Sequence, residues 1–169
     1  MLPDGQKGRF SSMARVSVGA DLHVASPPED AYHVWNQRYL YPRFLAGVLE
    51  VEELDGTWSR WVVERDGERC TLEVETTDNV PRRLVAWRDD GPGRPRTTVR
   101  LMGPPAGPTT VSVEVSWHPQ HSGPDAVTEA DRRLAELEAD LHGFREYLKS
   151  ELGGYVDTLR SLEQLPHTD

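Results

Sequence analysis

One stretch of this chain carries a long helical stripe, and nearly everything between it and residue 48 reads as strand. In TEADRRLAELEADLHGFREYLKSEL the side chains of Leu134, Leu137, Leu141, Phe144, Leu148 and Leu152 recur every three or four residues. That spacing predicts a helix of about seven turns with a single apolar side. Such a side must be buried against another layer. The upstream segments GVLEVEEL, TWSRWVVER, ERCTLEVETT, RLVAWRD, RTTVRLM and TTVSVEVSW supply it, being rich in β-branched and aromatic residues with apolar and polar positions alternating. They are separated by Asp55-Gly56, Asp66-Gly67, the Asn79–Pro81 corner, DDGPG and GPPAG, links short enough to favour consecutive antiparallel pairing.

An earlier strand is read from RVSVGADLHV, where Val16, Val18, Ala20, Leu22 and Val24 alternate with polar residues or glycine. Ser26 before Pro27, Pro28 and Glu29 reads as a capped helix start, with the helix reaching about Gln37. Pro42 limits its continuation, so a second short helix is expected over Tyr39–Ala46, ended by Gly47. Thr128 and Asp131 are expected to cap the long helix. In the strand TWSRWVVER, Trp58 and Trp61 must face opposite sides, so its inward parity stays open. The division that follows is a tail over 1–14, a domain over 15–152 and a partly helical extension over 153–169.

Composition narrows the partners. Nineteen Lys+Arg against 28 Asp+Glu give a net charge of −9, which repels a phosphate backbone on average and argues against nucleic acid. No long apolar run reads as a membrane span, so no integral membrane association is expected. The start MLPDGQKGRF lacks a secretory apolar core and Cys70 is the single cysteine, so the expected location is the cytoplasm. Cys70, at an alternating strand position, reads as a small core residue. His118-x-x-His121 lies in a proline loop without a convincing third ligand, and no motif for a phosphate, a dinucleotide or a covalent hydrolase occurs. Neither a metal nor another cofactor is expected.

The run PEDAYHVWNQRYLYPRFLAGVLEVEELD, the corner VPRRLVAWR and the late helix LHGFREYL, in that order, resemble the START-like (SRPBCC) superfamily. Within it the chain looks most like the polyketide cyclase/dehydrase, or coenzyme Q-binding, branch. The resemblance implies an α+β helix-grip fold: a curved seven-stranded antiparallel sheet wrapped around a long C-terminal helix, with two short helices between strands 1 and 2 and an apolar cavity inside. It implies a ligand site at Trp35, Tyr41, Phe44, Val48, Trp61, Leu72, Val85, Trp87, Leu141, Phe144 and Tyr147. Aromatase/cyclases of this kind tend to carry a tyrosine and an arginine where Val48 and Thr77 stand here.

Two functions follow as expectations. The first is a hydrophobic-ligand protein for a polyketide, aromatic or quinone-like molecule, acting as a cyclase, aromatase or dehydratase. Arg88, Arg100, His142 and Tyr147 are the candidates for metal-free acid/base or oxyanion work. The second is a carrier or chaperone of a lipid or quinone without chemistry, or an interaction module with a vestigial cavity that meets a protein partner or a second copy. For the arginines the competing reading is cross-strand pairing with Glu50, Glu52, Glu73 and Glu75 on a solvated sheet face. Gly143 costs helix stability and is expected where a ligand or the sheet approaches closely.

Overall fold

The computed structural model describes residues 14–153, so most of the expected tail and extension lie outside the described residues. The chain forms β1 (Val16–Val24), α1 (Pro28–Trp35), a 3-10 segment (Arg38–Arg43), β2 (Val48–Glu53), β3 (Trp58–Arg65), β4 (Glu68–Val80), β5 (Leu84–Asp89), β6 (Arg96–Met102), β7 (Thr109–Trp117) and α2 (Pro124–Tyr147). A π-helical turn, Leu148–Gly153, continues α2.

The seven strands make one antiparallel sheet in the order β1-β7-β6-β5-β4-β3-β2. β2 to β7 form a meander set by their short links, and β1 adds to the far side of β7. Because β1 and β2 therefore occupy opposite edges, the chain between them must cross the sheet. α1 and the 3-10 segment make that crossing and plug one end of the fold. Bulges between Val48 and Glu50 and between Thr76 and Asp78 add local bend and twist to the sheet.

Alternation decides what faces inward. Leu72 and Val74 of β4, Val85 and Trp87 of β5, Val99 and Leu101 of β6, and Val111 and Val113 of β7 are buried on the concave face. The open parity of β3 resolves with Ser59, Trp61 and Val63 inward and Trp58 exposed. The indole N–H of Trp61 donates to Ser59 Oγ at 2.9 Å, which satisfies both buried polar groups. The convex face carries the ion pairs Arg60–Glu52, Arg60–Glu73 and Arg88–Glu75.

Several sequence-based boundaries move. α1 ends at Trp35, and Ser26 makes no side-chain cap; instead its carbonyl accepts the Thr109 hydroxyl at 2.7 Å. Tyr39–Ala46 is not an α-helix, because Pro42 within so short a piece leaves a 3-10 turn over Arg38–Arg43. α2 begins before Thr128, with Gly123 preceding Pro124, and the Thr128 hydroxyl donates to the Pro124 carbonyl from inside the helix. Its buried side runs Glu129, Arg133, Leu137, Leu141, Phe144 and Leu148, while Leu134 is only half-buried. Cys70 is exposed rather than core, lying close to the Asp66-Gly67 turn.

Gly143 is required by contact. A Cβ there would overlap the backbone carbonyl oxygen of Phe44, so the close neighbour is the chain leaving the 3-10 segment, not the sheet. Gly143→Ala should lower stability by up to about 2 kcal/mol: overpacking against backbone costs about 1–3 kcal/mol, and the better helix propensity of alanine returns about 1 kcal/mol. Urea denaturation checks this, and an alanine variant more stable than the parent would show that the two segments separate freely.

Candidate functional site

α2 packs along β1, at one edge of the sheet. The opposite half of the curved sheet faces the helix across a gap that side chains fill only in part. The filled part is an aromatic plug. Trp35 sits with its ring centroid 4.9 Å from Phe144, 5.2 Å from Phe44 and 5.6 Å from Tyr41, while Tyr41 lies 5.5 Å from Trp61 and 5.4 Å from Trp87. The Tyr41 hydroxyl donates to the Trp35 carbonyl at 2.5 Å, and burial pushes its pKa well above the ordinary phenol value.

Beyond the plug lies a cavity of about 400 Å³. Trp61, Val63, Leu72, Trp87, Val113 and Val115 form its sheet wall, Leu137 and Leu141 its helix wall, Trp35 its floor, and Leu45 to Val48 one rim. This volume falls in the lower part of the range typical of small-molecule sites, about 300–1,000 Å³. It suits a compact ring system better than a long extended chain.

Of the residues expected to hold a ligand, Trp35, Val48, Trp61, Leu72, Trp87 and Leu141 line this cavity. Tyr41, Val85 and Phe144 do not, being fully buried in the packing around it. Phe44 and Tyr147 line a separate shallow groove with Pro42 and Gly143. The polar candidates are placed elsewhere by strand and helix geometry. Arg88 alternates with inward Trp87 and pairs with Glu75 at 2.6 Å on the convex face; Arg100 alternates with inward Val99 and Leu101 and is exposed. His142, next to Leu141 but turned about 100° around the helix, is exposed. Tyr147 belongs to the groove and not to the cavity.

The polar groups that do line the cavity went unnoticed in the sequence. Asp140 is the most perturbed: burial, then the neighbouring Glu136 charge, raise its pKa to about 7, against the opposing effect of the Ala46 backbone N–H that donates to it. The signal was its place three residues after Leu137 and four before Phe144, an acid set into the apolar stripe. Asp89 shares the inward parity of Trp87, and burial raises its pKa although the Gly91 N–H, at 2.8 Å, and the Arg65 charge pull it down.

Arg133 lies near the far end of the cavity. It pairs with Glu129 at 3.2 Å, donates to the Pro92 carbonyl at 3.3 Å and stacks its guanidinium 4.5 Å from the Trp117 ring. Burial, the largest influence, leaves its pKa lowered although Glu129 raises it. Among the described residues no three His, Cys, Asp or Glu side chains gather as a metal site, and no helix is long and apolar enough to cross a membrane.

The comparisons agree with this architecture. A protein of Streptomyces lincolnensis, described as an uncharacterized 17.2 kDa protein, is 26% identical over 147 residues, covering 82% of this chain and 95% of its own. The Zhui aromatase/cyclase from a Streptomyces species is similar in fold, with a TM-score of 0.67, 18% identity and coverage of 83% of this chain and 99% of that one. A START superfamily protein from Mycobacterium smegmatis has a TM-score of 0.63 at 19% identity, covering 78% of this chain and 98% of its own. The sequence pattern of the family described as polyketide cyclase / dehydrase and lipid transport matches residues 24–136. With more than half its length matched and the helix-grip architecture in place, this chain belongs to the polyketide cyclase/dehydrase and lipid transport family.

Proposed function

We propose that the chain binds a compact polyketide-derived or aromatic molecule between sheet and helix and promotes its cyclisation or dehydration, with Asp140 as the acid/base group. The observation that carries this reading is Asp140, the lining carboxyl that burial and Glu136 poise to titrate near neutrality, on the wall of a largely apolar cavity. In its ionised form Asp140 takes a proton from a carbon between two carbonyls, leaving an enolate that closes the ring. In its protonated form it donates to the oxygen that departs as water. The apolar walls hold the chain folded and exclude bulk water during both steps. The net charge of −9 supports a small-molecule partner over a nucleic acid.

A second reading, a carrier for a quinone-like or lipid molecule working in the cytoplasm, is favoured by the outward placement of Arg88, Arg100 and His142. Turnover of a short aryl poly-β-ketone separates the two. For the enzyme, Asp140→Asn should reduce kcat by about 10²–10⁴ while ligand affinity stays within about threefold. Binding without turnover in the parent protein would decide for the carrier.

A further inference from the structure

Arg65 and Asp89 carry opposite charges into the same cavity and do not meet. Arg65 follows Trp61 and Val63 in the inward parity of β3, and Asp89 follows Val85 and Trp87 in that of β5. Both side chains are half-buried and line the cavity, and no ion pair joins them. Gly91 reports their spacing. A Cβ built on it would stand 2.7 Å from Asp89 Oδ1, 3.5 Å from Arg65 Nη1 and 3.4 Å from Leu72 Cδ2. The oxygen and the nitrogen that flank this point are therefore at most about 6 Å apart, a gap that one oxygen atom closes with two hydrogen bonds of about 3 Å each.

Asp89 spends one carboxylate oxygen on the turn, accepting the Gly91 N–H at 2.8 Å, and keeps further lone pairs for a donor in the gap. Arg65 offers N–H groups and cannot accept. The group that fits between them must donate on one side and accept on the other. A hydroxyl does both, whereas a carbonyl, an ammonium or a methyl group does not. We infer that this end of the cavity is a subsite for a ring hydroxyl, phenolic or enolic, which donates to Asp89 and accepts from Arg65. The inference rests on the cavity being the ligand site and adds the chemical class it selects. It also sets a direction. The Arg65 charge is felt by Arg133, which stands seven residues before Asp140 on α2, roughly 10 Å along the axis. A ligand anchored by its hydroxyl lays its rings along Trp87, Leu137 and Leu141 and brings its other end toward Asp140. A methyl group of the same size keeps water out of the gap and offers no bond in return, so the cost falls on the wrong ligand.

Two fluorescent ligands of equal size test this on the unaltered protein: 6-acetyl-2-naphthol and 2-acetyl-6-methylnaphthalene, in which a methyl group replaces the hydroxyl. In equilibrium fluorescence titrations the naphthol should bind at least about tenfold more tightly. Asp89→Asn keeps an oxygen for the Gly91 N–H, and Arg65→Gln removes the facing charge. Each should bring the two ligands within about threefold of one another, chiefly by weakening the naphthol. Binding of both ligands by the parent within about threefold overturns the hydroxyl subsite and leaves the cavity as an apolar site. A naphthol preference that both variants retain overturns it as well, because the hydroxyl is then held elsewhere. Binding of neither ligand overturns the cavity reading on which the inference rests.

Discussion

Arg133→Leu is expected to lower the unfolding free energy by about 3–5 kcal/mol, the range for removing one partner of a buried ion pair. Glu129 is 6% exposed and receives Arg133 at 3.2 Å, and its second carboxylate oxygen already has no partner. Taking the guanidinium away would strand that buried carboxylate, uncover the Trp117 ring it stacks on and leave the Pro92 carbonyl without its donor. The pair itself is not an efficient source of stability, since burial is the largest influence on the Arg133 guanidinium and its pKa stays lowered despite Glu129. Glu129→Leu combined with Arg133→Leu should therefore come within about 1–2 kcal/mol of the parent, giving a strongly non-additive cycle in urea denaturation. A single variant that loses less than about 1 kcal/mol would mean the pair is solvated.

The same pair shows where sequence reading works and where it stops. Alternation in Leu72/Val74 and Val111/Val113 gave the inward face directly, because a period of two leaves one choice once one face is apolar. The Leu137/Leu141/Phe144 spacing gave the helix that lies over it. Glu129 and Arg133 stand eight and four residues before Leu137, on the same stripe, but charged residues there read as a solvated turn until the tertiary partners Trp117 and Pro92 are known. Arg88 and His142 were attractive by type alone; strand parity and a turn of about 100° per residue send both outward. Trp35, Tyr41, Phe44 and Phe144 were expected at the ligand site from the family resemblance. That they pack mainly on one another, leaving the free volume toward Asp140 and Arg133, is a matter of three-dimensional packing that no one-dimensional period encodes.

Asp140 gives the second large effect, and its sign follows from its environment. Its folded pKa of about 7 stands above the unfolded value of about 3.9, so the native protein holds this proton more tightly than the unfolded chain does. Between about pH 4 and pH 7 the native state binds more protons at this site, and stability falls as pH rises through that window. Above it the penalty is complete, about 2–4 kcal/mol for a shift of this size on a largely buried carboxyl. Asp140→Asn keeps the shape and cannot ionise. It should match the parent near pH 4, exceed it by about 2–4 kcal/mol at pH 8, and flatten the slope between, in urea melts run across that range. Parallel curves for the two proteins would mean that the carboxyl is fully solvated. Glu136→Gln removes the second cause of the shift and should lower the Asp140 pKa, narrowing the window from above. A carboxyl that destabilises the empty protein at neutral pH is compensated once a ligand donor or a shared proton reaches it, so the stability cost and the chemistry proposed for this site have one origin in the desolvation of Asp140.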